Sequence, residues 1–418
     1  MKKLKILGIH HSLLSLMGPT RLFFEIMDLF ADLGHEILIV GRTKKQTTWM
    51  NPQAIAAIEA DPKWATLWME ARTQKQRIEV FSAAAQAKGM RGGIVTERLI
   101  GQQYKLSQLR SFHPLKHIQP RHKMIVEAEI PLTYPYQYMP SALVDLIPKM
   151  DYVLSDSEHY LPLSKYVPGN YIFYVHWPPR STYRGPNVPE APILMPEAPA
   201  KIWCNSNYTA SEIKRLWGPK WRSDFPPLDP QVVYPPLWTD MYDGSKGFNE
   251  RPYDVVMLSR LDEEKFLVLN ELKGFKVAII GSDYGFKLPS WVHLWKDAPM
   301  KTVMQILSQS KVYVHSKGWG ILKSGAQSSG EHFGITITEA MSSGCVPIVP
   351  KVGGCWTDIA CEGKYGFGFS TVDELKQQIG RLVSDESYWD KWHDISLESV
   401  KRFDTKTVAG TVKRLLET

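Results

Sequence analysis

Two glutamates eight positions apart, Glu331 and Glu339, bracket a glycine-opened helix start in the stretch GEHFGITITEAMSSGCVPIVPKVGG, residues 330–354. The apolar run before it, KVYVHS (311–316), reads as a buried strand, and Ile335 to Ser343 reads as a short helix that Gly344 stops. A helix start presents N–H groups without intrahelical partners and the positive end of the helix dipole. The backbone at Phe333, Gly334 and Ile335 therefore suits a diphosphate held without a metal. Glu331 precedes this helix and Glu339 lies about one turn inside it. The two carboxylates can serve different parts of one ligand, and a phosphate-sugar compound fits that division.

A pair of cations belongs to the same reading. SRLDEEK (259–265) places Arg260 and Lys265 at the end of the apolar run DVVMLS (254–259). In open α/β sheets ligands bind outside the carboxyl ends of the strands, so these cations face the same crevice as the Glu331 helix. Breaking a sugar–diphosphate bond leaves negative charge on the departing oxygen, which two cations and a helix start stabilise. An arginine and a lysine five apart are otherwise ordinary surface charges; their position relative to the glutamate motif is what favours chemistry. No Asp-x-Asp stands where a metal-bridged diphosphate needs one, so neither a metal nor another cofactor is expected.

The elements that position these groups form two series. The first opens with a strand (Leu4 to Ile9), a helix with Leu22, Phe23, Ile26, Phe30 and Leu33 on one face, then Gly34 and a strand from Glu36 to Val40. This is a βαβ unit of a parallel sheet. DYVLSD (151–156), YIFYVHW (171–177) and KIWCNS (201–206) continue it as buried strands between Pro-rich loops. The Pro/Gly/polar stretch 234–253 breaks the pattern, and a second series follows: DVVMLS, KVAIIG (276–281), KVYVHS and VPIVP (346–350). The expected division is a first domain over 1–236, a hinge at 237–252, a second domain over 253–400 and an amphipathic C-terminal helix over 401–418. That helix carries Val408, Val412, Leu415 and Leu416 on one face. The tryptophans Trp49, Trp64 and Trp68 read either as core aromatics or as an acceptor-facing surface.

Composition excludes several classes. At 418 residues, with 44% hydrophobic and 22% charged residues, the chain is long enough for two large globular cores and is neither disordered nor collagen-like. A net charge of +7 favours anionic partners. Four cysteines without a CxxC pair make no disulfide framework or zinc site and suit a reducing cytosol. The basic then apolar N-terminus reads as a strand interrupted by His10 and His11, not as a signal peptide, and no run approaches the ~20 apolar residues a membrane span needs. A cytoplasmic protein is expected, with any membrane contact peripheral. The basic segment 105–123, with Lys105, Arg110, Lys116, Arg121 and Lys123, is either a solvated face or a surface for anionic lipid head groups or a phosphate-bearing acceptor. It lacks a nucleic-acid reading module, so nucleic acid is not an expected partner.

Arg260 and Lys265, followed by GEHFGITITEAMSSGCVPIV with its two glutamates, resemble the donor-site signature of retaining family 4 glycosyltransferases with the GT-B fold. The intervening FG, the small-residue helix end SSG and the following VPIV…GG keep the family's order over some two dozen residues, and the resemblance covers the second domain better than the first. The EHFGI form, with YVHWPP upstream, is especially similar to mannosyltransferases that extend lipid-linked oligosaccharides. The resemblance implies two Rossmann-like parallel-sheet domains facing an interdomain cleft, with the C-terminal helix packing back toward the first.

It also implies roles. Arg260 and Lys265 would hold the donor diphosphate, Glu331 would contact hydroxyls of the transferred sugar, and Glu339 would bind the nucleotide ribose. His176, at the end of a strand, would project toward the donor sugar; its plain alternative is a hydrogen-bonded loop histidine. The donor would be GDP- or UDP-linked, with GDP-mannose favoured by EHFGI, and the acceptor a glycan, a lipid-linked molecule or a small molecule bound by the first domain. Where the family opens its first helix with two glycines, this chain has Met17-Gly18-Pro19; Gly18 either approaches the ligand or simply starts a helix. The Gly/Ser-rich loop 317–330 reads as a lid or an insertion. An epimerase, phosphorylase or hydrolase on the same architecture, or a silent glycan- or lipid-binding protein, are the competing readings.

Overall fold

The computed structural model describes residues 2–10, 18–42, 103–105, 123–127, 147–178, 195–258, 268–281, 288–296, 298–320 and 330–417. Trp49, Trp64, Trp68, Met17, Arg110, Lys116, Arg121 and the loop centre 321–329 lie outside the described residues. The chain divides into two compact units. One holds Met1–Tyr174, Pro179–Ile202 and Arg222–Pro227; the other holds Val175–Pro178, Trp203–Trp221 and Leu228–Thr418. The sequence reading assigns residues 203–221 and 228–236 to the first domain, whereas their contacts group them with the second unit.

In the first unit, β1 (Lys5–His10) leads into α1 (Gly18–Asp32) and β2 (Glu36–Arg42). The apolar face of α1, with Leu22, Phe23, Ile26, Met27 and Phe30, is buried. Gly8 lets α1 come close: a Cβ there would lie 2.5 Å from the Met27 sulfur. β3 (Gln103–Lys105) pairs antiparallel with β4 (Lys123–Glu127), setting Lys105 opposite Lys123 in the register. β5 (Tyr152–Ser155) and β6 (Tyr171–Val175) follow, and the strand order is β3-β4-β2-β1-β5-β6. Apart from β3, the neighbouring strands with a described register run parallel. At the carboxyl ends of β1 and β5, His10 Nδ1 meets both carboxylate oxygens of Asp156 at 2.7 and 2.8 Å, stacked on Phe23.

In the second unit, β7 (Lys201–Cys204) contributes its last two residues, which pair with β8 (Gln231–Val232), and α2 (Asn207–Trp217) lies between them. β9 (Tyr253–Leu258), β10 (Val277–Gly281) and β11 (His293–Lys296) come next. They are followed by α3 (Met300–Ser308), β12 (Ser310–Val314), α4 (Ile335–Ser342), β13 (Val346–Pro350) and β14 (Phe367–Phe369). The order β11-β10-β9-β12-β13-β14 is parallel throughout. Helices α5 (Val372–Ser384), α6 (Glu386–Val400) and α7 (Thr405–Glu417) close the chain.

Period-two alternation divides this sheet between two apolar layers. Val256, Ala278, Ile280 and Tyr313 join Ile306, Ile337, Met341 and Phe403 in one cluster; Val255, Met257, Val277, Ile279 and Val312 join Leu375, Ile379, Leu382 and Trp389 in the other. The segment read as a hinge, 237–252, counts with this unit. Leu237 is buried and pairs with the entrance to α7, accepting from Thr405 N–H at 3.0 Å and donating to Phe403 C=O at 2.8 Å. Val408, Val412 and Leu416 of α7 are buried, and α7 also counts with the second unit.

Candidate active site

The second sheet reverses direction between β9 and β12: β10 and β11 extend it one way, β13 and β14 the other. Such a switch point leaves a crevice at the strand carboxyl ends, where ligands of open α/β sheets bind. Leu258 ends β9, and its carbonyl accepts the Tyr313 hydroxyl at 3.1 Å, while the same hydroxyl lies 2.8 Å from Thr336 Oγ1 in the first turn of α4. Burial pushes the Tyr313 phenol well above its ordinary range, so it stays a neutral bridge. Arg260 and Lys265, which follow β9, lie outside the described residues.

From the end of β12 the chain continues through His315 and Lys317. Glu331 returns to the same place: its Oε2 lies 3.5 Å from His315 Nε2 and 3.6 Å from Lys317 Nζ, and the side chain keeps 19% of its surface exposed. A carboxylate beside a cation, partly open to solvent, is suited to sugar hydroxyls. Two close backbone approaches hold it there. Gly354 N–H donates to the Glu331 carbonyl at 2.7 Å, and a Cβ at Gly354 would fall 2.0 Å from the His332 carbonyl oxygen. This is a physical reason for the paired glycines after VPIVPKV.

α4 begins where the sequence places it. Gly334 has φ of 103°, and a Cβ there would also strike Ile337 Cδ1 at 2.6 Å, so only glycine fits the turn. Ile337 N–H is taken by the Gly334 carbonyl at 2.9 Å, so the α4 N-terminus has the N–H groups of Ile335 and Thr336 to present outside the β12 end. The Phe333 side chain is buried against Tyr234 and Phe403, so it anchors the loop and leaves only its backbone to face outward. Glu339 is buried one turn inside α4, with its Oε1 accepting the Tyr242 hydroxyl at 2.9 Å. The helix stops in a Schellman arrangement: Gly344 N–H bonds Met341 C=O and Cys345 N–H bonds Ala340 C=O, both at 2.9 Å.

His176 follows β6, buried, with its ring 5.8 Å from that of Trp177, which is 48% exposed. It counts with the second unit, as does Glu331. Its carbonyl accepts Asn205 Nδ2 at 2.9 Å. The strand read as KIWCNS ends earlier, at Cys204, because Ser206 leaves it to cap α2, accepting from Thr209 N–H at 3.0 Å. Asp358 satisfies the same helix start: its carboxylate accepts from the N–H groups of Asn207 and Tyr208, from Asn207 Nδ2, from Tyr234 OH and from Thr357 Oγ1. Gly18 opens α1 in the first unit, and Pro19 follows inside its first turn.

Sequence reasoning does not single out His315, Lys317, Asn205, Ser206, Thr209, Tyr242, His332 or Asp358. For Ser206 a signal is present, a serine of N-cap type at a strand-to-helix change. Tyr242 and Asp358 act through contacts 97 and 151 positions along the chain, which no local pattern displays. All four cysteines are free, and burial raises the Cys345 thiol to about 12, so it is an inert core group. Among the described residues no cluster of three or more His, Cys, Asp or Glu side chains is arranged for a metal, and no helix is long and apolar enough to cross a membrane.

Residues 241–398 match the family model of glycosyl transferases group 1, so the second unit carries a group 1 glycosyl transferase domain. By sequence, no curated protein matches the chain. Among solved structures, a glycosyltransferase from Rickettsia africae is similar with a TM-score of 0.60 at 13% identity, over 100% of this chain and 98% of the other. The Anabaena protein HepE, in complex with UDP and glucose, gives a TM-score of 0.59 at 15% identity over 99% of each chain. Sucrose-phosphate synthase from Thermosynechococcus elongatus gives 0.59 at 13% identity, over 99% of this chain and 98% of the other. At these identities the likeness is one of fold, and that fold is GT-B, as the sequence resemblance implies.

Proposed function

We propose that this glycosyltransferase moves a sugar from a nucleotide-sugar donor to a glycan or lipid-linked acceptor, with retention at the anomeric carbon and without a metal. The observation that carries the reading is Glu331 beside Lys317 at the switch point, one loop before the α4 N-terminus, with Glu339 a turn inside the helix. The α4 N–H groups, with Arg260 and Lys265, take the diphosphate. Glu331 takes hydroxyls of the transferred sugar, Glu339 the ribose, and His176 the sugar side. In the retaining step the bond from C1 to the phosphate oxygen breaks while the acceptor oxygen bonds C1 on the same face; its proton passes to the departing phosphate. The paired cations and helix start stabilise that developing charge.

Two donors lead. HepE was solved with UDP and glucose, which supports a UDP-sugar, whereas the EHFGI resemblance supports GDP-mannose. The basic segment 105–123 supports an acceptor with a phosphate or lipid anchor at the cytosolic face of a membrane. The test is a product assay with UDP-glucose and GDP-mannose, with and without glycolipid acceptors, in chelator, reading the product anomer by NMR. Transfer with retention in chelator is expected. Donor turnover without an acceptor would establish a hydrolase or epimerase instead, and no nucleotide binding by calorimetry would establish a silent binding protein.

A further inference from the structure

Between His176 and Glu331, 155 positions apart in sequence, runs a chain of four buried side chains whose protons can be counted. Asn205 uses its amide to donate to the His176 carbonyl at 2.9 Å. Thr209 Oγ1 donates to Asn205 Oδ1 at 2.6 Å, which commits its only proton. Ser206 Oγ has acceptors at 2.6 Å (His332 C=O), 3.0 Å (Thr209 Oγ1) and 3.4 Å (Asn205 Oδ1), and its one proton goes to the nearest, the carbonyl. What remains is the 3.1 Å contact between Thr209 Oγ1 and His332 Nδ1. The threonine proton is already placed, so the hydrogen in this contact belongs to the histidine: neutral His332 is the Nδ1–H tautomer. All four side chains are buried, where an unmade hydrogen bond is costly and the arrangement is correspondingly rigid.

We propose that Asn205, Ser206 and Thr209 are positioning residues for glycosyl transfer. They clamp His332 by both its carbonyl and its ring, and so fix the adjacent Glu331 in register with His176. The assignment rests on the reading of Glu331 and His176 as sugar-side groups. The β7-to-α2 turn is well made for the task, because the same Ser206 oxygen that holds His332 also caps α2. Gly354 also runs close to the His332 carbonyl, where a Cβ would clash, and its N–H bonds the Glu331 carbonyl, so backbone as well as side chains hold the Glu331 segment.

Thr209→Val keeps the volume and removes the relay hydroxyl. Turnover is expected to fall about 10- to 100-fold through misplacement of the sugar-side group. Affinity for free nucleotide, which engages the Glu339 side, stays within twofold, and Thr209→Ser restores most of the loss. A merely structural threonine would lower stability without this split. Independently of any activity, nitrogen NMR of 15N-histidine-labelled protein, with His332 assigned by its loss in His332→Gln, is expected to show the Nδ1–H tautomer. Thr209→Val is expected to shift it toward Nε2–H. The Nε2–H tautomer in the unaltered protein, or Thr209→Val turnover within twofold of normal, overturns the proposal. Failure of the functional reading is seen separately, as full transfer by Glu331→Ala with the tautomer unchanged.

Discussion

Tyr242 donates its hydroxyl to the buried carboxylate of Glu339 at 2.9 Å, linking the segment before β9 to the interior of α4. Both residues lie in the second unit, and the bond holds Oε1 in one orientation within a site where the carboxylate is assigned to the ribose. A hydrogen bond to a charged group is worth about 1.5–3 kcal/mol. Tyr242→Phe should therefore weaken nucleotide binding about 5- to 30-fold, the factor that ~1–2 kcal/mol represents. Calorimetry with UDP and GDP checks this, and Glu339→Ala should cost at least as much. Unchanged affinity in both variants would remove the ribose role.

Glu331 predicts a different pattern. Its carboxylate lies within 3.6 Å of both His315 and Lys317 and remains partly exposed, and the proposed function gives it the sugar and not the nucleotide. Glu331→Ala should lower turnover at least ~100-fold, as expected when a group that acts in the transition state is lost, while free UDP or GDP binds within threefold of normal. Steady-state kinetics set beside calorimetry separate the two. Equal losses in turnover and nucleotide affinity would place Glu331 on the wrong part of the donor.

The strands are legible where both faces are buried. VPIVP reads as β13 residue for residue, and Ile335 to Gly344 reads as helix and stop, because Gly334 and Gly344 punctuate it at both ends. Shorter or half-exposed strands escape: β8 has two residues, and β11 (HLWK) has exposed ends around two partly buried residues, with no alternation to read. At the site, the glutamates and the helix start are visible in sequence because they are local. Tyr242, Thr209 and Asp358 are not, since their meaning depends on partners over 90 positions away. The contacts that hold Leu237 in the second unit are equally remote in sequence, since it pairs with Phe403 and Thr405 far down the chain.

Acid should weaken the fold through two histidines. His393, whose Nδ1 lies 2.8 Å from the Gly344 carbonyl, is held below its ordinary 6.5 chiefly by burial, against the opposing pull of that carbonyl. His35 is lowered in the same direction, again chiefly by burial. A histidine lowered in the folded state binds fewer protons than in the unfolded chain. Its contribution is therefore complete above about pH 6.5 and is lost as pH falls from there through the folded value. Denaturant titrations between pH 7.5 and pH 5 should show stability declining with acid, and His393→Gln should flatten the slope. A slope unchanged by the substitution would assign the acid sensitivity elsewhere.

Glycine substitutions separate the site from the scaffold. Gly354→Ala puts a Cβ 2.0 Å from the His332 carbonyl oxygen and 3.2 Å from Ser206 Oγ, in backbone that cannot yield without moving Glu331. An overpacked site of this kind costs about 1–3 kcal/mol, and transfer should fall with stability. At Gly380 in α5 and Gly410 in α7 an added Cβ would meet nothing within 4 Å, so alanine there gains helix propensity without a clash. Each should stabilise by about 0.5–1 kcal/mol, by reducing the freedom of the unfolded chain, and leave turnover unchanged. Urea unfolding and product assays on the three variants check the contrast. A Gly354→Ala protein with normal stability and transfer would mean that the Glu331 loop is held less tightly than its contacts indicate.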